Sequence, residues 1–123
     1  VLAWSWGASS SGTFLGGGGG AGKANIQDLS LTRATDAQST KLLRALVQGT
    51  ILTGVTLKSG PVRITLKDVM VSSLSTGKSS GEPSQTENVT FTFREFNYTA
   101  DAATATCWDI ATNAEPSSCD AKP

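Results

Sequence analysis

Apolar residues at every second position are the feature of this 123-residue chain that most limits its fold. A β-strand places successive side chains on opposite faces, so this pattern predicts strands with one buried face. The first such strand is predicted in VLAWSWGA, where Leu2, Trp4 and Trp6 share a face. An alternative for the two tryptophans is a sugar-stacking platform, but their large apolar area favours a place in the core.

Two of the predicted strands change their apolar face partway along. In VRITLKDVMVSSL the apolar residues first occupy even positions, at Val62, Ile64 and Leu66. They then occupy odd positions, at Val69 and Val71. ENVTFTFREFNYT switches in the same way, from Val89, Phe91 and Phe93 to Phe96 and Tyr98. A β-bulge near Lys67 and Asp68 would produce the first switch. Because long, sharply bent strands are typical of barrels, we predict a mainly β protein with a compact, bent-strand β-barrel.

One segment, ATDAQSTKLLRALVQGT, has helical spacing instead. Its apolar residues recur at the intervals of one helix face and are Leu42, Leu43, Leu46 and Val47. Thr35 or Asp36 is suited to cap the start and Gly49 to end the segment, which predicts an amphipathic α-helix at about residues 36–48. The apolar face is predicted to pack against a barrel or against another subunit.

A glycine-rich block lies between the first predicted strand and the segment ANIQDLSLTR. It comprises Gly16, Gly17, Gly18, Gly19, Gly20, Gly22 and then Lys23. From Gly17 it reads G-x-x-x-x-G-K, one residue short of a phosphate-binding loop. That motif needs a hydroxyl residue after the lysine and a helix N-terminus, but Ala24 follows and ANIQDLSLTR favours an extended segment. We therefore favour a long mobile loop over a nucleotide site, because glycine tolerates any φ.

Residues suited to catalysis are sparse. The chain has no histidine, which is the commonest general base and metal ligand. Ser75 and Lys78 match S-x-x-K, but that motif needs a helix and the neighbouring glycines indicate a loop. Glu87 and Glu95 share a strand face yet lie about 26 Å apart at 3.3 Å per residue, too far for a glycosidase pair. We predict no catalytic residue, no metal site and no cofactor, with both carboxylates on the solvated surface.

The charge of the chain is balanced, with ten basic and ten acidic residues. This balance argues against electrostatic binding of nucleic acid or of an anionic membrane. No apolar run approaches the roughly 20 residues of a membrane span, so membrane insertion is not predicted.

Two cysteines, Cys107 and Cys119, lie twelve positions apart near the end of the chain. A turn at residues 115–117 would bring them together. They form either a disulfide, which suits a protein that ends outside the reducing cytoplasm, or two unpaired thiols.

Six stretches, in order, resemble the haemolysin-coregulated protein (Hcp) family of bacterial type VI secretion. They are WSWG (4–7), SGTF (11–14), GGGGGAGKANIQDLSLTR (16–33), ITLKDVMVSSLSTG (64–77), TENVTFTF (86–93) and CWDI (107–110). The resemblance covers about residues 1–113 and implies an Hcp-like β-barrel domain with one helix there. Residues 114–123 then form a C-terminal tail.

The resemblance further implies a structural, non-enzymatic function. Homo-hexameric rings would stack into the inner tube of a phage-tail-like injection machine, with the secretion spike and small effectors in the lumen as partners. The tube would assemble in the bacterial cytoplasm and its subunits would then be secreted. A second interpretation is a soluble ring-forming effector chaperone or ligand-binding β-barrel that does not polymerise.

Within this family pattern, the block from Gly16 to Gly22 lies in a loop that reaches a neighbouring ring. Glycine suits such a contact because closely apposed backbones leave little room for a Cβ atom. Lys23 is expected either to meet a carboxylate or carbonyl of the neighbour or to remain solvated.

Three features depart from the family pattern. Family members normally have a further strand before VLAWSWG, and its absence here is expected to leave a sheet edge open. The connection LKSGPVRI is shorter than usual, and the tail NAEPSSCDAKP with its second cysteine is not a family feature. These departures bear on polymerisation more than on the fold.

Overall fold

The computed structural model describes residues 2–10, 24–78, 85–101, 104–116 and 119. Within these ranges the chain forms eight strands and one α-helix. In chain order they are β1 (Ala3–Ser5), β2 (Ala8–Ser10), β3 (Ala24–Ile26), β4 (Leu29–Ala34), α1 (Ser39–Gln48), β5 (Leu52–Ser59), β6 (Val62–Gly77), β7 (Thr86–Thr99) and β8 (Ala105–Asp109).

Six strands form one antiparallel sheet in which β7 is central. The order along the sheet is β1, β4, β7, β6, β5. One edge of β7 pairs with β6 over its full length. The other edge is shared, because β4 pairs with the first part of β7 and β8 pairs with residues 95–99. Among the described strands, β2 and β3 pair with each other in a separate two-stranded sheet.

The two parity switches lie opposite each other, in β6 and β7. Lys67 pairs with Glu95, and Val69 pairs with Phe93, so the register is unchanged across the switch. Asp68, between the two pairs, has a positive φ of 53°. Both strands therefore change their buried face at the same paired positions. Neither strand has an extra residue there, so the β-bulge predicted near Lys67 and Asp68 does not form. The register shift of this pair lies instead between Val71 and Ser73.

The mainly β class predicted from the sequence is confirmed, but the sheet is not closed. The strands β1 and β5 end the order of the described sheet and do not pair with each other. The fold is therefore a bent, open sheet with one helix packed on β6.

The helix begins three residues later than predicted. Its N-cap is Gln38, without a side-chain cap, so the prediction of Thr35 or Asp36 as the cap is wrong. Asp36 instead closes the preceding turn, because its Oδ1 atom accepts a hydrogen bond of 2.8 Å from the Gln38 amide. The predicted end is confirmed: Gly49 has the left-handed φ of 65° that favours glycine.

The hydrophobic core lies on one face of this sheet, where β4, β5, β6 and β7 contribute buried side chains. Trp6 packs against this core, with its ring 5.0 Å from that of Phe96 and 5.8 Å from that of Tyr98. Trp4 also contacts the core. Both tryptophans therefore pack against the core of the sheet, which is the interpretation that their large apolar area favours.

The connection between β5 and β6 is as short as an antiparallel pair allows. Ser59 pairs with Val62, so only Gly60 and Pro61 form the turn. Gly60 has a φ of 58°, which glycine adopts without strain.

Candidate assembly surfaces

The predicted assembly loop, Gly16 to Gly20, Gly22 and Lys23, lies outside the described residues. Its flanks are described, because β2 and β3 pair antiparallel with Ser10 opposite Ala24. The described residues on either side of the undescribed stretch 11–23 are therefore adjacent in space. The strand β3 starts at Ala24, immediately after Lys23. This agrees with the predicted extended segment and gives no helix N-terminus where a phosphate-binding loop needs one.

A polar network holds the start of α1 against the sheet. The guanidinium of Arg33 in β4 donates hydrogen bonds to Glu87 of β7 and to Asp36. The Ser39 hydroxyl, at the first turn of α1, donates to the same Glu87 oxygen at 3.0 Å. The Asp36 amide in turn donates to the Ser39 hydroxyl. One carboxylate thus links β4, β7 and α1.

The burial of Glu87 corrects the expectation of a solvated carboxylate. Its side chain is 1% exposed, and Arg33 and Ser39 supply the donors that a buried charge requires. Glu95 is less enclosed and lies 3.8 Å from the ammonium group of Lys67. The sequence could not show that Arg33 stands opposite Glu87, because that depends on the β4–β7 register.

Two pKa shifts accompany this network. Burial lowers the pKa of Arg33, but its hydrogen bonds to Asp36 and Glu87 outweigh that effect and leave the pKa raised. The pKa of Asp36 is lowered, first by the hydrogen bond from the Gln38 amide and further by Arg33, despite partial desolvation. Both shifts favour the charged forms, so the network is an ionic one.

The apolar face predicted for the helix is divided between the core and the surface of the subunit. Leu42 and Leu46 are partly buried and pack against the core. Leu43 is 47% exposed and Val47 is 70% exposed. Since Leu43 and Val47 lie one helical turn apart, they present a common apolar strip. Ile51, four positions further along, is 63% exposed.

These three side chains, Leu43, Val47 and Ile51, are called the outer strip below. Leu43 and Val47 lie at helical spacing on α1, whereas Ile51 follows the end of the helix at Gly49. Single exposed apolar residues are ordinary on protein surfaces, whereas a contiguous apolar patch marks a candidate contact surface. The prediction that part of this helix face packs against another subunit stays a prediction.

A second surface lies on another side of α1, where the helix and the start of β5 leave an open groove of about 460 Å³. Lys41, Arg44 and Gln48 form its helical wall, and Leu52 lies on the opposite wall. Lys41 and Arg44 have no ion-pair partner among the described residues. The helix thus presents an apolar surface on one side and a cationic one on another.

The cysteines are joined in the structure. Cys107 of β8 and Cys119 form a disulfide with their Cα atoms 5.8 Å apart. Cys107 is buried, whereas Cys119 is exposed. The division of the chain at residue 113 stays a prediction.

The S-x-x-K pair has no helical setting, because Ser75 lies in β6, which runs to Gly77. Among the described residues, no cluster of three or more His, Cys, Asp or Glu side chains could hold a metal ion. The one described helix is too short and too polar to cross a membrane.

Comparisons with known proteins agree with this architecture. The family model described as "Type VI secretion system effector, Hcp" matches residues 1–99. The protein hcp1 of Pseudomonas aeruginosa is 49% identical over 82 residues, which cover 59% of this chain and 51% of that protein. The matched stretch therefore spans about half the length of this relative.

Solved structures show the same fold. A type six secretion system protein is 26% identical, with a TM-score of 0.74 and coverage of 91% of this chain and 82% of that one. Hcp1 from Salmonella typhimurium also gives a TM-score of 0.74, at 21% identity, with coverage of 94% and 82%. The latter likeness supports the fold alone.

Proposed function

We propose, because the chain belongs to the Hcp family of the type VI secretion system, that it is a structural subunit of the inner tube of that system. Six copies form a ring, and rings stack into a tube. The subunits assemble in the bacterial cytoplasm and are then secreted, with small effectors carried in the lumen and the secretion spike as a further partner.

The observation that carries this proposal is the family match over residues 1–99. Those residues include both of the surfaces that the proposal requires. The outer strip supplies an apolar contact on a rigid helix, and the hairpin of β2 and β3 supplies a base from which the glycine-rich block can extend.

The anchoring of α1 supports a contact role for its outer strip. A contact surface loses less conformational entropy on binding when its element is already fixed. Arg33, Glu87 and Ser39 fix the start of α1, while the backbone bonds of Gly49 and Thr50 to the last turn fix its end. The apolar side chains of the strip are therefore held in place before a neighbour arrives.

A ring needs heterologous contacts, in which one surface of a subunit meets a different surface of the next. The outer strip alone is too small for a stable interface, which normally buries about 800 Å² per partner. We infer that it is the apolar centre of a larger contact with more polar surroundings.

Native mass spectrometry and negative-stain electron microscopy test the proposal together. The full chain is expected to give a mass of six subunits and ring-shaped particles, with stacked rings at higher protein concentration. A monomer at all concentrations, in reducing and oxidising buffer alike, would contradict the tube assignment. Hexamers that never stack would instead support a ring-forming chaperone.

A further inference from the structure

The groove beside α1 continues beneath the helix. Its outer part, of about 460 Å³, lies between the helix and the start of β5. A second cavity, of about 310 Å³, lies between the helix and the sheet. The two share three lining residues, Lys41, Ala45 and Leu52. They therefore form one continuous groove, which is called the helix groove below.

The inner part of the helix groove is apolar. Leu31 of β4 and Phe91 of β7 line it from the sheet, and Leu42 lines it from the helix. Leu31 and Phe91 are themselves residues of the hydrophobic core. The groove therefore reaches the core from outside, and an apolar side chain placed there would be removed from water together with the surface that it covers.

The outer part of the helix groove is cationic. Lys41 and Arg44 both line it, and their spacing of three positions places them on the same side of α1. Neither has an ion-pair partner among the described residues. Arg33 lines the inner part, but its guanidinium is already paired with Asp36 and Glu87. Among the described residues that line the two parts, none is Asp or Glu, so the charge of the groove favours an anionic occupant.

A strand edge borders the helix groove. In the described sheet, β5 is the last strand and pairs with β6 on one side. Leu52 starts β5 and lies in both parts of the groove. A peptide extended along the other side of β5 would gain backbone hydrogen bonds, and every second side chain would point toward the face that the helix covers.

We propose that the helix groove is a docking site for an extended peptide segment of another protein, in which apolar side chains are flanked by acidic ones. The segment adds to the edge of β5, its apolar side chains fill the inner part beside Leu42 and Phe91, and its carboxylates meet Lys41 and Arg44. In this mode of recognition the backbone hydrogen bonds supply affinity and the pockets for alternate side chains supply specificity. The site is separate from the outer strip, with which it shares no residue.

Fluorescence polarisation with a synthetic peptide tests the site on the full chain. The probe is a fluorescein-labelled peptide with three valines between two pairs of glutamates. One control peptide has lysine in place of each glutamate, and a second has serine in place of each valine. The probe is expected to bind saturably, and both controls are expected to bind at least about tenfold more weakly.

Charge reversal tests the two cations of the groove. Lys41→Glu combined with Arg44→Glu is expected to weaken binding of the probe at least about tenfold, because like charges then face its carboxylates. Both side chains are exposed, so the fold is expected to be retained. The matched control is Lys58→Glu with Lys78→Glu, which changes the net charge by the same amount at exposed positions outside the groove and should bind as the wild type does.

Amide hydrogen exchange tests whether the peptide adds to β5. At a saturating concentration of the probe, amides on the free side of β5 are expected to exchange at least about tenfold more slowly than in the free chain, because they become hydrogen-bonded. Unchanged exchange throughout β5 would overturn the strand-addition geometry. Equal binding by the two double variants, or equal affinity for the glutamate and lysine peptides, would overturn the docking site.

Native mass spectrometry of the same samples separates this proposal from a contact between subunits. If the probe binds only as it dissociates hexamers, the groove is filled by a second copy of the chain and the partner assigned above is wrong. A chain that is monomeric at all concentrations but binds the probe with the expected selectivity would contradict the tube assignment and would support the docking site.

Discussion

Arg33 of β4 and Glu87 of β7 stand opposite each other in the sheet and form an ion pair, although the Glu87 side chain is almost completely buried. Such a pair is costly to break, because the remaining charge stays desolvated without its partner. The pair also reaches the helix through Ser39. It therefore connects the stability of the sheet with the position of the candidate assembly surface.

Replacement of Arg33 by methionine is expected to lower the free energy of unfolding by about 3 kcal/mol, because it leaves Glu87 buried and unpaired. Urea denaturation at pH 7 measures the loss. The double variant Arg33→Met with Glu87→Leu should regain most of the stability, since neither charge remains. If the single and double variants are equally unstable, the ion pair is not the cause.

Leu46→Asp tests the side of α1 that faces the core. Leu46 packs against the core cluster, so a carboxylate there is expected to cost roughly 2–3 kcal/mol and to unfold the subunit or dissociate the ring. Thermal unfolding and native mass together measure the effect. An intact and equally stable hexamer would show that this face has been misassigned.

Val47→Asp tests the outer strip at the next position of the same helix. Because Val47 is 70% exposed, the subunit should keep its stability to within about 0.5 kcal/mol while the hexamer is lost. Gln48→Asp introduces the same charge on an exposed position beside the groove and is expected to leave the hexamer intact. Native mass spectrometry compares the two variants, and hexamers of equal abundance would exclude the outer strip from the ring contact.

The glycine-rich block is tested by Gly18→Glu combined with Gly20→Glu. The subunit should fold and the ring should close, but stacking should be abolished, because like charges would meet at every ring junction. Gly18→Gln with Gly20→Gln is the control for side-chain size. Electron microscopy under tube-forming conditions measures tube length, and tubes of wild-type length from the glutamate variant would disprove the role in stacking.

Acid should destabilise the fold through two aspartates. Partial burial raises the pKa of Asp109, but the Thr112 amide and Arg94 outweigh it, so that its pKa, like that of Asp36, is lowered in the folded state. The pKa of an aspartate in the unfolded chain is about 3.9. The stabilisation that the two carboxylates contribute is therefore fully present above that pH, and it is lost as the pH falls through their lower pKa values in the folded chain.

The urea midpoint of the wild-type chain is therefore expected to fall steeply below about pH 4. Asp36→Asn and Asp109→Asn should each be less stable than wild type at pH 7 and should lose less of their stability on acidification. Parallel curves for wild type and both variants between pH 5 and pH 3 would assign the acid sensitivity to other groups.

Much of the fold was predicted from the sequence because strand and helix periodicity are local properties. The alternation in β6 and β7 identified the strands and the level at which their buried faces change. The stretch from Leu42 to Gly49 identified the helix and its end. The start of the helix was misplaced, because the turn around Asp36 depends on Arg33 and Ser39 as well as on helix propensity.

Tertiary structure decided which of these faces are covered and by what. From the sequence, Glu87 is predicted to be an ordinary surface carboxylate. Only the β4–β7 register brings Arg33 opposite it. Leu46 and Val47 are equally apolar neighbours in the sequence, yet one packs on the core and the other faces outward, because only one side of α1 meets the sheet. The sequence specifies which side chains alternate between the two faces of a strand. Their burial depends on segments that are distant in the chain and pack against them only in the folded protein.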